Sequence, residues 1–433
     1  MIKIKLYPHQ ERALKETKKF NRVGYFLDMG LGKTFVGSEK LKELNSNINL
    51  VICQKSKLDD WYEHFKTYYP EYNTFIYSKT RDIPSNSVVI INYDLVWRRP
   101  KLSQLENFTL MLDESSMIKN PTSKRTKFIL KLKAENVILL SGTPCGGKFE
   151  ELLTQCKLLG WNISKKLYWQ QYIKFINMDV GGFKIPKVTG YKNVERLKQK
   201  LHEHGSIFMK TEEVFDLPEQ VEISVLVENT KEYKKFKKDR LITIDNTELV
   251  GDTSLTKMLY LRQLASQYNP NKLSVLKDLL ESTEDRVIIF YNFTEEMQQI
   301  KKLCIRLEKP VSIVNGQTKD LSEYEKETEY HPENAWHSQI DVPIHNKSVT
   351  LVQYQAGAMG LNLQKSNKII YYSLPLASEL FEQSKKRTHR IGQTRTCMYW
   401  YLITKNSIEE QIFETLKQRK DFTDKLFEEL EEI

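Results

Sequence analysis

Glycine supplies only 17 of the 433 residues, about 4% against a usual ~7%. Long flexible linkers and low-complexity spacers are therefore excluded. Cysteine is scarcer still: Cys53, Cys145, Cys156, Cys304 and Cys397 are five single, scattered residues with no C-x-x-C pair. An odd and dispersed set argues against a disulfide framework or structural zinc, and for a reducing, cytoplasmic setting. No apolar run approaches the roughly 20 residues that span a bilayer, and no charged segment followed by an apolar one opens the chain. A soluble, intracellular protein with no membrane partner is expected. Internal repeats are not evident. Basic residues outnumber acidic ones by 66 to 56, a net charge of +10. This excess suits a polyanionic partner, although it is spread over a long chain.

What is present is a succession of short apolar runs of strand length alternating with helical patterns, the signature of parallel sheets built from βαβ units. One series comprises Tyr25 to Leu27, Ile48 to Cys53, Thr74 to Tyr77, Val88 to Tyr93, Leu110 to Asp113 and Val137 to Ser141. A second comprises Val287 to Tyr291, Val311 to Val314, Val349 to Val352, Lys368 to Tyr372 and Met398 to Ile403. Two series imply two α/β lobes. The first is expected over residues 1–228, with a helical extension at about 149–218, and is closed by an alternating strand at Val221 to Val227. The second is expected over 229–433, with a helical start at about 229–280. A C-terminal helix over 408–433 would pack on it through Ile408, Ile412 and Leu416, continued by Phe422, Leu426 and Leu430. Helical periodicity dominates from Phe149 to Leu280, interrupted at Val180-Gly181-Gly182 and Leu217-Pro218. The lysine-rich stretch Lys231 to Lys238 reads as a solvated helix face. His331, His337 and His345, in the polar segment from Asp320 to Lys347, match no metal-ligand spacing.

Chemistry concentrates at three places. Asp28-Met29-Gly30-Leu31-Gly32-Lys33-Thr34 lies between an apolar strand and an amphipathic helix. Gly30, Gly32, Lys33 and Thr34 supply what a triphosphate needs there: close backbone N–H groups, an ammonium, and a hydroxyl for Mg2+. Leu27 stands where the full phosphate-loop pattern has glycine. Asp113-Glu114 follows the buried run Leu110-Met111-Leu112, which delivers both carboxylates at a strand's C-terminal end. Asp113 suits the metal and Glu114 suits a base for the attacking water. Far downstream, Arg387-Thr388-His389-Arg390 offers Arg387 and Arg390 as partners for charge building on the phosphoryl oxygens.

These motifs resemble helicase superfamily two, and within it the Swi/Snf-like DNA-translocating ATPases, over nearly the whole chain. The resemblance extends to Leu6-Tyr7-Pro8-His9-Gln10, similar to the adenine-reading glutamine motif. It includes Val51 to Ser56 with Trp61 and Phe65, similar to the first DNA-contacting motif, and Leu140-Ser141-Gly142-Thr143-Pro144, similar to the motif coupling hydrolysis to DNA contacts. Phe208 to Pro218 is similar to the segment ending the family's first lobe. Arg286 to Phe293 and Gly357 to Leu363 resemble two second-lobe motifs, and Gln383 to Gln393 contains the subgroup signature His-Arg-Ile-Gly-Gln. The resemblance implies two tandem RecA-like domains that use ATP and Mg2+ to move along DNA, duplex or branched, with RNA disfavoured by that signature. It implies that Gln10 reads adenine; that Gly30, Gly32, Lys33, Thr34 and Gly360 bind nucleotide; and that Thr34 and Asp113 hold the metal. It further implies that Glu114 activates water, that Arg387 and Arg390 complete the site, and that Lys55, Ser56, Ser141, Thr143 and Gln393 contact nucleic acid or couple to it.

Three departures stand out, the first being that the segment from Asp320 to Lys347 has no counterpart in the family pattern. Ser116 replaces the family's histidine in the Asp-Glu box, which implies coupling to Ser141 through a hydroxyl, and Gln353-Tyr354 stands where the family has Ser-Thr. Compact members of this kind are familiar from bacteriophages and bacterial mobile elements. Accessory histone-reading domains are not seen, so chromatin remodelling is not implied. A translocase remodelling DNA structures or DNA–protein complexes, as in replication or recombination, is the leading expectation. A strand-separating helicase and a nucleic-acid-binding module with a vestigial ATPase are the alternatives. Protein partners are not legible.

Overall fold

The computed structural model describes residues 4–77, 82–180, 183–244, 247–326, 346–357 and 361–427. The chain divides into two compact units; the second is Leu217–Gln418 and the remainder falls with the first.

The first unit contains β1 (Arg22–Leu27), β2 (Ile48–Cys53), β3 (Asn73–Ile76), β4 (Ser87–Asn92), β5 (Thr109–Asp113), β6 (Asn136–Leu140), a hairpin of β7 (Ile173–Val180) and β8 (Phe183–Tyr191), and β9 (Ser206–Met209). All except the hairpin join one parallel sheet in the order β3-β4-β2-β5-β6-β1-β9. Because alternate side chains of a strand point to opposite faces, Leu50, Ile52, Leu110 and Leu112 enter one core, while Val51, Cys53, Met111 and Ile138 enter another. Helices α1 (Pro8–Glu16), α2 (Lys33–Leu44) and α3 (Leu58–Tyr68) cover the second of these faces with Ala13, Val36, Leu41, Trp61 and Phe65. Burial on both faces explains why these strands read as continuous apolar runs. Gly37 lets α2 approach the sheet closely: a Cβ there would sit 2.9 Å from Leu140 Cδ1 and 3.1 Å from Met111 Sδ.

The second unit contains β10 (Gln220–Val227), a small hairpin of β11 (Leu241–Ile244) and β12 (Thr247–Val250), then β13 (Val287–Tyr291), β14 (Val311–Val314), β15 (Lys319–Asp320), β16 (Val349–Gln353), β17 (Lys368–Tyr371) and β18 (Cys397–Thr404). Its sheet runs β10-β18-β17-β13-β16-β14-β15, parallel except for the β14–β15 pair. Both strand series expected from the sequence are present. One assignment is corrected: Val221 to Val227 does not close the first sheet but pairs in parallel with β18 along its whole length. Its alternation is that of an edge strand, which carries no label for its partner. The region from Phe149 to Leu280 is likewise less helical than its periodicity implied, since it holds both hairpins and β9. Gly181-Gly182 between two β-branched and aromatic runs was the hairpin signal; those two glycines, most of the 320–347 segment with its three histidines, and Gly360 lie outside the described residues.

The basic helix Lys231–Asp239 buries Tyr233 and Phe236 in a satellite core and exposes its lysines, as a solvated face should. Ile412 and Leu416 of the last helix pack in the second unit's core. A buried ion pair also lies there: Lys272 Nζ sits 2.6 Å from both carboxylate oxygens of Glu409, and the two side chains are 0% and 3% exposed. Among the described residues, no helix is long and apolar enough to cross a membrane.

Candidate nucleotide site

The loop from Asp28 to Gly32 leaves β1 and turns into α2 through two left-handed glycines, Gly30 (φ 89°) and Gly32 (φ 73°). The left-handed φ of Gly32 favours glycine, and a Cβ there would lie 2.1 Å from Gln10 Nε2 and displace that amide. That close approach has a function in the fold. Gln10 Oε1 accepts from the Tyr7 N–H at 2.9 Å, and its Nε2 donates to Leu31 O at 3.2 Å; His9 Nε2 lies 3.0 Å from the same carbonyl. Helix α1 is thereby latched to the loop. Asp28 anchors the other side by accepting from Thr211 Oγ1 at 3.2 Å. The Lys33 ammonium folds back to donate to Leu27 O (2.8 Å) and Asp28 O (3.0 Å). Thr34 follows it in the first turn of α2.

Because β5, β6 and β1 are neighbours, their C-terminal ends bring this loop beside Asp113-Glu114 and Ser141 to Thr143, the edge where α/β sheets bind ligands. Asp113 Oδ2 accepts from the Trp61 indole at 2.8 Å. Burial pushes the Asp113 carboxyl above its ordinary range; the Trp61 bond opposes this, Glu114 adds to it, and Lys33 and Lys57 oppose it. Glu114 adopts φ 58°, ψ 63°, a left-handed conformation that non-glycine residues rarely hold without support. The Tyr93 hydroxyl supplies that support by donating to the carbonyls of Asp113 (3.0 Å) and Glu114 (3.3 Å). Glu114 Oε1 accepts from Ser141 Oγ at 2.6 Å and Ser116 Oγ at 2.9 Å, and Ser141 Oγ accepts from the Thr143 N–H at 3.1 Å. Ser116 and Ser141 are thus joined through the carboxylate between them.

Lys55 and Ser56 are exposed in a short turn after β2, immediately before α3. From that helix comes Trp61, so the turn and the Asp113 carboxylate are held by one rigid element. No local pattern in the sequence announces the Trp61–Asp113 bond, because it depends on β2 and β5 being adjacent.

His64, one turn along α3, packs against Phe35, Trp61, Phe65, Tyr68 and Tyr69 and pairs with Ser38 Oγ at 3.0 Å. Burial pushes its pKa down to about 4 from 6.5. The unfolded chain therefore takes up this proton first, so stability present above pH 6.5 is lost as pH falls toward 4. At about 1.36 kcal/mol per unit the loss is at most about 3 kcal/mol. His64→Phe is expected to flatten the decline of the urea midpoint between pH 7 and 4.5. An unchanged slope in that variant would assign the decline to other groups.

The remaining candidates lie in the second unit. Arg387 is only 2% exposed; its Nη1 donates to Leu361 O at 3.4 Å, and its carbonyl accepts from Leu363 N at 3.1 Å. It braces its own segment, where the sequence offered it together with Arg390 as a partner for phosphoryl charge. Arg390 is half-buried, and burial lowers its pKa. His389 accepts at Nδ1 from Gln220 Nε2 (3.1 Å) and donates from Nε2 to Pro218 O (2.8 Å), a tautomer assigned from those partners. Gln393 donates to Gln364 O and Ser366 O at 3.0 Å and accepts from the N–H groups of Thr394 and Arg395. Its amide, expected to contact nucleic acid or couple to it, is engaged within its own lobe. The His-Arg-Ile-Gly-Gln signature therefore clamps a loop on either side of Arg390.

Comparison with known families accords with this architecture. The SNF2-related domain model matches residues 14–272, and the helicase conserved C-terminal domain model matches 271–392. The first alone covers more than half of the chain, which belongs to the SNF2-related family of helicase superfamily two. An uncharacterized ATP-dependent helicase of Mycoplasma pneumoniae is 24% identical over 456 residues, covering 96% of this chain and 41% of that protein. The ISWI chromatin-remodeling complex ATPase ISW1 of Saccharomyces cerevisiae is 23% identical, covering 90% and 37%. YwqA of Bacillus subtilis, provisionally named an ATP-dependent helicase/translocase, is 26% identical, covering 93% and 46%. The chain thus spans about two-fifths of the length of these relatives. The SWI2/SNF2 ATPase core of Sulfolobus solfataricus, solved in complex with dsDNA, superimposes with a TM-score of 0.45 at 21% identity, covering 98% of this chain and 93% of that one.

Proposed function

We propose that this chain hydrolyses ATP at the C-terminal edge of its first sheet and uses the cycle to translocate along duplex DNA, remodelling DNA structures or DNA–protein complexes. The observation that carries the reading is the Glu114 carboxylate, fixed by two hydroxyls at 2.6 and 2.9 Å beside Asp113 and the Lys33 loop. A carboxylate so held can orient an attacking water and accept its proton. Lys33 and the loop N–H groups hold the phosphates, with Gly30 leaving open space above the loop. Thr34 and Asp113 form a hard-oxygen pair suited to Mg2+, and the cost of keeping Asp113 ionised when buried is the cost that a divalent cation offsets. Bound there, the ion supplies charge neutralisation at the phosphoryl oxygens. Arg390 is the stabilising arginine and Arg387 its brace. Gln10, which latches α1 to the loop through Leu31 O, is the residue that reads adenine.

Duplex DNA as the track follows from the family, the +10 charge and the exposed Lys55-Ser56 turn at the head of the helix that carries Trp61. The steady-state ATPase rate should be measured with no nucleic acid, single-stranded DNA, duplex DNA and RNA. Duplex DNA is expected to stimulate most, and its effect should fade steeply with salt because the contacts are to phosphates. Equal rates in all four conditions, or preference for RNA, would defeat the reading.

A further inference from the structure

The β7–β8 hairpin plays no part in the nucleotide site, yet it is firmly built at its base. Tyr172 and Ile173 are buried, Tyr191 stacks on Phe149 with centroids 4.3 Å apart, and the Tyr191 hydroxyl donates to Glu150 Oε2 at 2.9 Å. Beyond the base its two faces differ. The register opposes Phe175 to Val188 on the inner face; Phe175, 40% exposed, meets Trp169 edge-on at 5.5 Å, and the half-buried Val188 packs against the first-unit core. A register irregularity at Lys174/Phe175 is the kind of bulge that re-aims a strand.

On the outer face, Met178 opposes Ile185 and Ile176 opposes Lys187. Here Ile176, Met178 and Ile185 are 53%, 42% and 51% exposed, with Lys174 and Lys187 exposed beside them. A contiguous apolar patch rimmed by charge marks an interaction surface. The rim here is cationic. Four lysines and a single acidic residue, Asp179, lie between Ile173 and Lys192, and Asp179 is opposed to Lys184 on the inner face.

We propose that this outer face is a second nucleic-acid contact, specific for duplex junctions: Ile176, Met178 and Ile185 lie against the base pair exposed where two strands part, and Lys174 and Lys187 hold the flanking phosphates. Isoleucine and methionine are among the side chains that proteins insert against base steps to unstack them, and charge complementarity selects a polyanion over an acidic-poor protein surface. The inference rests on the DNA-translocase reading and deepens it, since a fixed arm of this chemistry favours forked or branched substrates over plain duplex.

The test uses a forked duplex carrying 2-aminopurine at its junction, with the whole chain. Wild type is expected to raise the fluorescence as the junction unstacks. The Ile176→Ser/Met178→Ser/Ile185→Ser variant should lose the rise and fall about tenfold in fork affinity, with ATPase stimulation by plain duplex retained. Ile176→Leu/Met178→Leu/Ile185→Leu should behave as wild type. Lys174→Gln/Lys187→Gln should lower the slope of log affinity against log salt on forks by about 2. An undiminished fluorescence rise in the Ser triple overturns the proposal while leaving the translocase reading intact. Absence of any DNA stimulation in wild type overturns both, and is told apart by occurring before the hairpin is touched.

Discussion

Glu114→Gln is expected to lower kcat for ATP hydrolysis by about 10²–10⁴-fold, the span of a positioned general base, while ATP still binds. The amide is isosteric, and the Ser116 and Ser141 hydroxyls can rotate from donating to accepting, so the left-handed backbone at residue 114 and its Tyr93 support should survive. Ser141→Ala and Ser116→Ala separate orientation from basicity. Each removes one hydroxyl donor to the same oxygen and leaves the other, so each alone should cost kcat far less than Glu114→Gln, and Ser141→Ala, which removes the shorter bond, should cost more than Ser116→Ala. A Glu114→Gln enzyme turning over within about tenfold of wild type would show that the water is oriented elsewhere.

Lys272→Met is expected to destabilise the second unit by about 3–5 kcal/mol, the cost of leaving a buried charge unpaired. Burial pushes the Glu409 carboxyl up and the Lys272 ammonium pulls it down, so the lone carboxylate of the variant must either take a proton or stay charged in an apolar core. Glu409 also accepts from the backbone N–H of Thr404 at 2.9 Å, tying the end of β18 to the start of the last helix. The double variant Lys272→Met/Glu409→Leu should recover most of the loss, because replacing both charges removes the desolvation cost that neither single change removes. Equilibrium urea unfolding of the three variants decides it; a double variant as weak as the single one would show that the Thr404 bond carries the stability.

The sheets were legible because burial on both faces imposes continuous apolar runs, and such runs at Leu110 to Asp113 and Val137 to Ser141 place Asp113, Glu114 and Ser141 at strand ends. Ser116 was legible as a departure from the family pattern, and a hydroxyl does occupy that place. The hairpins were hidden for the opposite reason: Lys174-Phe175-Ile176-Asn177-Met178 is exposed, so its apolar residues follow no clean alternation. Trp61, Tyr93 and Thr211 were hidden because their partners are set by strand order, which a sequence does not print. Arg387 and Gln393 sat in the right motif, and only packing reveals that both are bound within their own lobe.

The pairing of β10 with β18 also bears on synthesis. The first sheet is complete once Met209 has been made, whereas β10 emerges next and its partner ends only at Thr404. At about 5–20 residues per second the ribosome needs roughly ten to thirty-five seconds to supply it. During that interval β10 is an open strand edge beside a finished lobe, with Leu226, 55% exposed even in the native fold, among its residues. Slow translation between β10 and β18 should therefore lengthen the window in which nascent chains can pair with one another.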